Sequence, residues 1–163
     1  MHTFNALCPE QSKVWIHQCN RFFTDLEAQS IENELSTFLN KWTAHQQQLH
    51  AQCVLLHQCF IVILLNEQNT QASGCSIDAL THFLKQVEQK YAIQLFNREL
   101  FAFKNPHTLE TVIATKKEME TFIQQGIVND NTLIFNNLIN TCQQLKNEWQ
   151  IPFKHSWHKN FFS

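Results

Sequence analysis

The chain of 163 residues predicts an α+β domain, on three observations. Short apolar stretches with strand character alternate with two long stretches of helical period. Capping residues stand at the start of each long helical stretch, Thr24 with Glu27 in the first and Ser76 in the second. The resulting order is strand, helix, strand, strand, helix, strand.

Lys13 to Cys19 reads as the first strand, with Val14 and Ile16 on one face and Trp15 on the other. Asn20 to Phe23 turns the chain. Thr24 and Glu27 form a capping box, and Ile31, Leu35, Phe38 and Trp42 follow as a buried stripe through about Thr43. Gln52 to Leu56 and Cys59 to Leu65 are two apolar strands joined at His57-Gln58. The near-continuous apolar run of the second marks an inner strand. Asn66 to Ser73 is a polar loop. The helix capped by Ser76 carries Ile77, Leu80, Leu84, Val87 and Tyr91 on one stripe, and Arg98 to Phe103 is the fourth strand, stopped at Asn105-Pro106.

This is the β-α-β-β-α-β order of ferredoxin-like folds, an antiparallel sheet with helices on one face. The expected arrangement sets the first and third strands side by side, central and parallel. The whole chain, 1–163, reads as a single domain with its core over about 13–104. A C-terminal, largely helical extension over about 107–163 covers the open face or an edge. Within it, Thr115 and Glu118 form another capping box, Gly126 ends that helix, Thr132 to Asn136 is a short strand or turn, and Leu138, Cys142, Leu145 and Trp149 mark a last helix.

Composition narrows the partners. Charged residues are only 16%, against roughly 25% in ordinary globular proteins, while 14 phenylalanines promise an aromatic core. Net charge is −2 with the signs interspersed, so no nucleic-acid partner is expected. The longest strongly apolar run, Cys59 to Leu65, is one strand long, against the roughly 20 residues of a membrane span. Met1 to Glu10 shows no basic region followed by an apolar stretch, which points to a cytoplasmic protein without membrane insertion. The six cysteines contain no Cys-x-x-Cys, and three of them (Cys19, Cys53 and Cys59) lie in expected strands. Reduced thiols are therefore expected.

Gly74 and Gly126 are the only glycines, which excludes a P-loop, a dinucleotide-binding turn and a kinase-type loop, and no cofactor is expected. The nine histidines fall into no metal-ligand spacing. In the expected topology, three features meet at one end of the sheet. Arg21 follows the first strand, Ser73-Gly74-Cys75-Ser76 opens the second helix, and Arg98 begins the fourth strand. A helix N-terminus offers free N–H groups and partial positive charge, Gly74 lets the backbone orient them, and arginine binds carboxylate or phosphate through two donors. Arg21 and Arg98 are the only arginines in the chain. Together with Ser73, Gly74, Cys75 and Ser76 they define an expected pocket for a small anionic ligand in a non-enzymatic binding or regulatory domain. Three other readings are kept beside it. The Ser-Gly-Cys-Ser segment serves only as a helix cap. Cys75, with a thiol pKa lowered by the helix start, is a nucleophile needing a base such as His17 or His57. Or the domain dimerises or binds a protein partner through a sheet edge.

Several segments also resemble a family of small proteins from Bacteroidetes bacteria. They are Val14-Trp15-Ile16-His17-Gln18 with Arg21, Trp42 with His45, Ala72-Ser73-Gly74-Cys75-Ser76-Ile77-Asp78, Asn97-Arg98, Thr132-Leu133-Ile134-Phe135-Asn136-Asn137 and Ser156-Trp157. The resemblance covers nearly the whole chain, and the Ser-Gly-Cys-Ser-Ile-Asp segment is its most specific part. Members often carry an "ABC transporter ATPase" label. This chain has neither a Walker A motif nor the Leu-Ser-Gly-Gly-Gln signature. The resemblance implies a bacterial cytosolic protein and supplies no catalytic residues.

Overall fold

The computed structural model describes residues 8–163, so most of the N-terminal segment read for a signal lies outside the described residues. β1 (Lys13–Gln18) leads into α1 (Asp25–Leu39), where Thr24 Oγ1 accepts from the Glu27 N–H at 3.2 Å and Glu27 accepts from the Thr24 N–H at 2.9 Å. A small hairpin, β2 (Thr43–Ala44) and β3 (Gln47–Gln48), precedes β4 (His50–Leu56) and β5 (Phe60–Asn66). α2 (Gly74–Tyr91) closes this half of the chain. The remainder forms β6 (Leu100–Lys104), β7 (Thr111–Thr115), α3 (Lys116–Gln124), β8 (Leu133–Phe135), α4 (Cys142–Asn147), β9 (Gln150–Pro152) and α5 (Trp157–Phe161).

The first sheet has the order β1-β5-β4. β5 is its inner strand, buried from Phe60 to Leu65, as its unbroken apolar run requires. The first and third expected strands, β1 and β5, are adjacent but antiparallel: Gln18 stands opposite Phe60 and Lys13 opposite Leu65. β1 is an edge strand rather than a central one.

The fourth expected strand does not join this sheet. β6 lies in a second antiparallel sheet of order β7-β6-β8-β9, so the four-stranded ferredoxin-like sheet is replaced by two sheets. Two causes act together. The outer edge of β1 is taken at its start by the chain before α4, where the Val14 N–H donates to the Asn140 carbonyl at 2.9 Å and the Cys142 N–H to the Ser12 carbonyl at 3.0 Å. β6 meanwhile pairs along its whole length with β7 and at Phe103 with β8. The expected boundary between core and extension therefore falls inside a structural unit.

The layers follow from side-chain alternation. Phe38 of α1 stacks on Phe83 of α2 at 4.5 Å, and these helices cover one face of the first sheet. The other face carries Phe60, whose ring meets Phe135 of β8 and Trp149 at 4.8 and 5.1 Å. In β6, Ala102 joins the core between the sheets, while Phe101 and Phe103 turn to a second core with Met119 of α3, Ile134 and Phe153. The result is four layers, helices, sheet, sheet, helices, with the C-terminal part covering the face of the first sheet that α1 and α2 leave open.

The β4–β5 turn places His57 and Gln58 in the left-handed region, at φ 50° and 53°, with no glycine to ease it. Contacts hold it: Lys104 Nζ lies 3.2 Å from His57 Nδ1, and Gln58 Nε2 donates to Asp25 Oδ1 at 2.8 Å. The cysteine expectation is corrected in part. Cys8 and Cys142 form a disulfide with Cα atoms 6.2 Å apart, whereas Cys19, Cys53, Cys59 and Cys75 are free. Among the described residues, no helix is long and apolar enough to cross a membrane.

Candidate functional site

The residues expected to form one anion pocket are distributed over three places. Arg21 is engaged structurally. Its guanidinium donates to Glu27 Oε2 and Oε1 at 2.9 and 2.8 Å, to the Tyr91 carbonyl at 2.8 Å and to the Phe22 carbonyl at 3.2 Å. It ties the start of α1 to the end of α2. Hydrogen bonds from Arg21 and then from the Thr24 backbone hold the Glu27 carboxyl down at about 2.

Ser73, Gly74, Cys75 and Ser76 stand at the opposite end of α2, and 18 helical residues separate the two ends by about 27 Å. Antiparallel pairing is the reason. The end of β1 meets the start of β5, so the loop that follows β5 emerges at the other end of the sheet. The segment itself is a helix cap. Ser73, not Ser76, is the N-cap: its hydroxyl accepts from the Ser76 N–H at 3.2 Å, while Ser76 Oγ accepts from the Ser73 N–H at 2.8 Å. The Ser76 carbonyl, buried, accepts from Trp42 Nε1 at 2.7 Å. Gly74 does not use the positive φ open to glycine, and a Cβ there would meet nothing within 4 Å. Cys75 is exposed, and His17 and His57 both sit at the far end of the first sheet, beside the β4–β5 turn. No base reaches it.

Arg98 opens on a cavity. It is exposed, has no hydrogen-bond or ion-pair partner among the described residues, and lines a cleft of about 650 Å³ between the two sheets. The walls are the end of β1 (Ile16, His17, Gln18), the α2–β6 connection (Leu95 to Arg98), Phe101 and Phe135 of the second sheet, the Asn137-Leu138 turn, and Trp157-His158 of α5. No Asp or Glu lines it. Phe96, Leu138 and Trp157 are partly exposed at this cleft.

Two residues that line the cleft each carry a buried polar atom without a partner. Gln18 is 6% exposed and His158 2% exposed, yet Gln18 Nε2 and His158 Nδ1 make no hydrogen bond. The identity of the Gln18 atom follows from its neighbours. Trp149 Nε1 can only donate, and it donates to Asn137 Oδ1 at 3.0 Å. The Asn137 Nδ2 is then the atom facing Gln18, where it donates to Oε1 at 2.8 Å. What remains of Gln18 is a buried donor. Burial holds the His158 imidazole down at about 4, so it is neutral at ordinary pH. Burial does the same to His17, also at about 4, against a smaller opposing effect of the Leu95 backbone.

A second hollow, of about 620 Å³, lies between α1 and α2 at Phe38, Trp42 and Phe83. None of the residues with an unpartnered polar atom lines it, and its rings are rimmed by Asn33, Glu34, Thr37 and Lys41. Among the described residues, no group of three or more His, Cys, Asp or Glu is placed to hold a metal.

Gln18, Asn137 and His158 were not singled out by sequence as site residues. A glutamine ending a strand and a histidine near the C-terminus carry no spacing signal, and their meeting depends on long-range strand pairing that no local pattern encodes. Compared with protein-family models, with curated proteins and with solved structures, the chain gives no match in any of the three.

Proposed function

We propose that this chain is a non-enzymatic binding domain that holds a small organic anion with an apolar body in the cleft along β1. The observation that carries the reading is a pair of buried, unpartnered polar atoms, Gln18 Nε2 and His158 Nδ1, on two residues that line a cleft with a free arginine. A buried polar atom without a partner costs about 1–3 kcal/mol, so a ligand that satisfies it recovers that energy. Aromatic and aliphatic walls suit an apolar body, and a cleft of about 650 Å³ is of ordinary ligand size. Arg98, with no acidic neighbour in the lining, favours a carboxylate or phosphate. The lining contains no Ser, Thr, Cys or Lys to act as a nucleophile, which favours binding over covalent catalysis.

A second reading, association with another protein or a second copy, rests on Phe96, Leu138 and Trp157, which are 38, 70 and 37% exposed. A molecular mass that rises with concentration would favour it.

The test is thermal melting of the natural protein and of Arg98→Ala against a panel of organic carboxylates and phosphates. A ligand at about a hundred times its Kd adds about 2.7 kcal/mol, a shift on the order of 5–10 °C for a chain of this size. The expected result is a shift in the natural protein that is lost in Arg98→Ala, with equal melting of the two without ligand. No shift with any compound removes the reading.

A further inference from the structure

Backbone groups of an antiparallel strand point alternately to its two sides. The Val14 N–H points away from β5, since it donates to the Asn140 carbonyl at 2.9 Å. The Cys19 N–H points to the β5 side, donating to the Cys59 carbonyl at 2.7 Å. Ile16 and Gln18 keep step with Val14, so their N–H and C=O groups face the outer edge of β1. No hydrogen bond from any described residue reaches those groups.

This open edge has defined ends. Pairing begins at Lys13 with Thr141 and, carried on in register, would set Leu138 against Ile16. A turn in which the Ile139 N–H donates to the Asn136 carbonyl takes the chain away instead. At the other end the Asn20 N–H donates to the Gln94 carbonyl at 3.2 Å, and Asn20 Oδ1 accepts from the Gln94 N–H at 2.8 Å. Between Val14 and Asn20 lies about 20 Å of strand, open in its middle and facing the cleft. Ile16 and Gln18 both line the cavity that Arg98 and the aromatic walls line, so this unpaired edge borders it.

A simple organic acid leaves that edge unused, whereas an extended peptide fills it by adding a short strand, its amides bonding the backbone and its side chains entering the apolar walls. We infer that the ligand is a short peptide of two or three residues with a free carboxy-terminus. It lies along β1 at Ile16 and Gln18, with an apolar side chain among Phe96, Leu138 and Trp157 and its carboxylate at Arg98. This rests on the organic-anion reading above and makes it specific: one ligand amide oxygen accepts from Gln18 Nε2, and the strand edge supplies the rest.

Calorimetric titration of the natural protein with four probes tests it: the tripeptide Ala-Ala-Phe as the free acid, its carboxy-terminal amide, its two singly N-methylated forms taken as a pair, and hydrocinnamate. Hydrocinnamate keeps the phenyl group and carboxylate but has no amide. The free acid is expected to bind at least tenfold more tightly than the carboxy-terminal amide and than hydrocinnamate. At least one N-methylated form should bind five- to tenfold more weakly. Exchange of the Ile16 and Gln18 amide hydrogens should slow in the complex. Equal affinity for hydrocinnamate and the tripeptide, without slowed exchange at Ile16 and Gln18, overturns the peptide inference and leaves the organic-anion reading standing. Binding of other organic anions but of none of these four probes has the same consequence. Failure of every anion to bind removes the underlying reading as well.

Discussion

Asn137 donates from Nδ2 to Gln18 Oε1 at 2.8 Å, a hydrogen bond between side chains 119 positions apart in the chain. Because Asn137 also accepts from Trp149 Nε1 at 3.0 Å, one side chain fixes the end of β1 to the aromatic core between the sheets. It also sets the Gln18 amide so that its donor is the free atom.

Replacing Asn137 with leucine removes both bonds at once. The Gln18 amide loses its remaining bond and the buried indole of Trp149 loses its acceptor, at about 1–3 kcal/mol for each stranded group. We expect Asn137→Leu to lose about 2–4 kcal/mol in urea unfolding, along with any ligand-induced shift in melting. A variant that unfolds at the urea concentration of the natural protein would show that Asn137 is not the clamp.

At the start of α2 the two serines, rather than the thiol between them, carry the local stability. Cys75 is exposed, whereas Ser73 and Ser76 bond each other in both directions. Ser73→Ala should cost about 1 kcal/mol, the usual value of an N-cap hydroxyl. Cys75→Ser should fall within about 0.5 kcal/mol of the natural protein and leave ligand binding unchanged. Loss of binding in Cys75→Ser would bring the thiol back into the site.

Local features of the fold were legible because they are written in neighbouring residues. The boxes at Thr24 and Thr115 form as their sequences imply, and the apolar run of β5 is buried at its centre. The pairing of Arg98's strand was not legible. β6 is five residues long and as apolar as a central strand, so its own sequence does not distinguish two sheets. The deciding partner was β7, Thr111–Thr115, whose alternation is too brief to stand out after Asn105-Pro106. Once β1 and β5 run antiparallel, Arg21 and Cys75 must separate, while Arg98 lines the cleft along β1. The aromatic C-terminal segment packs on β6, Phe101 meeting Trp157, His158, Phe161 and Phe162.

The Cys8–Cys142 disulfide joins the segment before β1 to the first residue of α4 across 134 positions. The chain it holds, Asn140 to Cys142, is the part that pairs with β1 before the Asn136 turn opens the cleft. Constraining so large a loop in the unfolded chain stabilises typically by about 2–4 kcal/mol. Reductant should therefore lower the melting temperature of the natural protein and leave that of Cys8→Ser unchanged. Equal melting with and without reductant would show that the bond contributes nothing to stability.

Three histidines make the fold sensitive to acid before its carboxylates are. Burial is the main cause holding His17, His57 and His158 down at about 4, with the Lys104 ammonium adding to the effect at His57. The ordinary histidine value is about 6.5, so between pH 6.5 and 4 the unfolded chain takes up protons that the folded chain does not. Stability is then complete above about pH 6.5 and falls as the pH drops toward 4. Each fully depressed group adds a slope of up to about 1.4 kcal/mol per pH unit within that window. The Glu27 carboxyl, held down at about 2 by Arg21, adds to the loss only where its unfolded form takes up a proton, near 4.5 and below, so it does not contribute between pH 7.5 and 5.0. Urea unfolding at pH 7.5, 6.0 and 5.0 should show the natural protein losing stability at each step. His158→Gln should lose less between the same points, because it removes one of the groups that must stay neutral. Parallel losses in the two proteins would mean that His158 is not protonated preferentially on unfolding, and that its buried Nδ1 is already satisfied in solution.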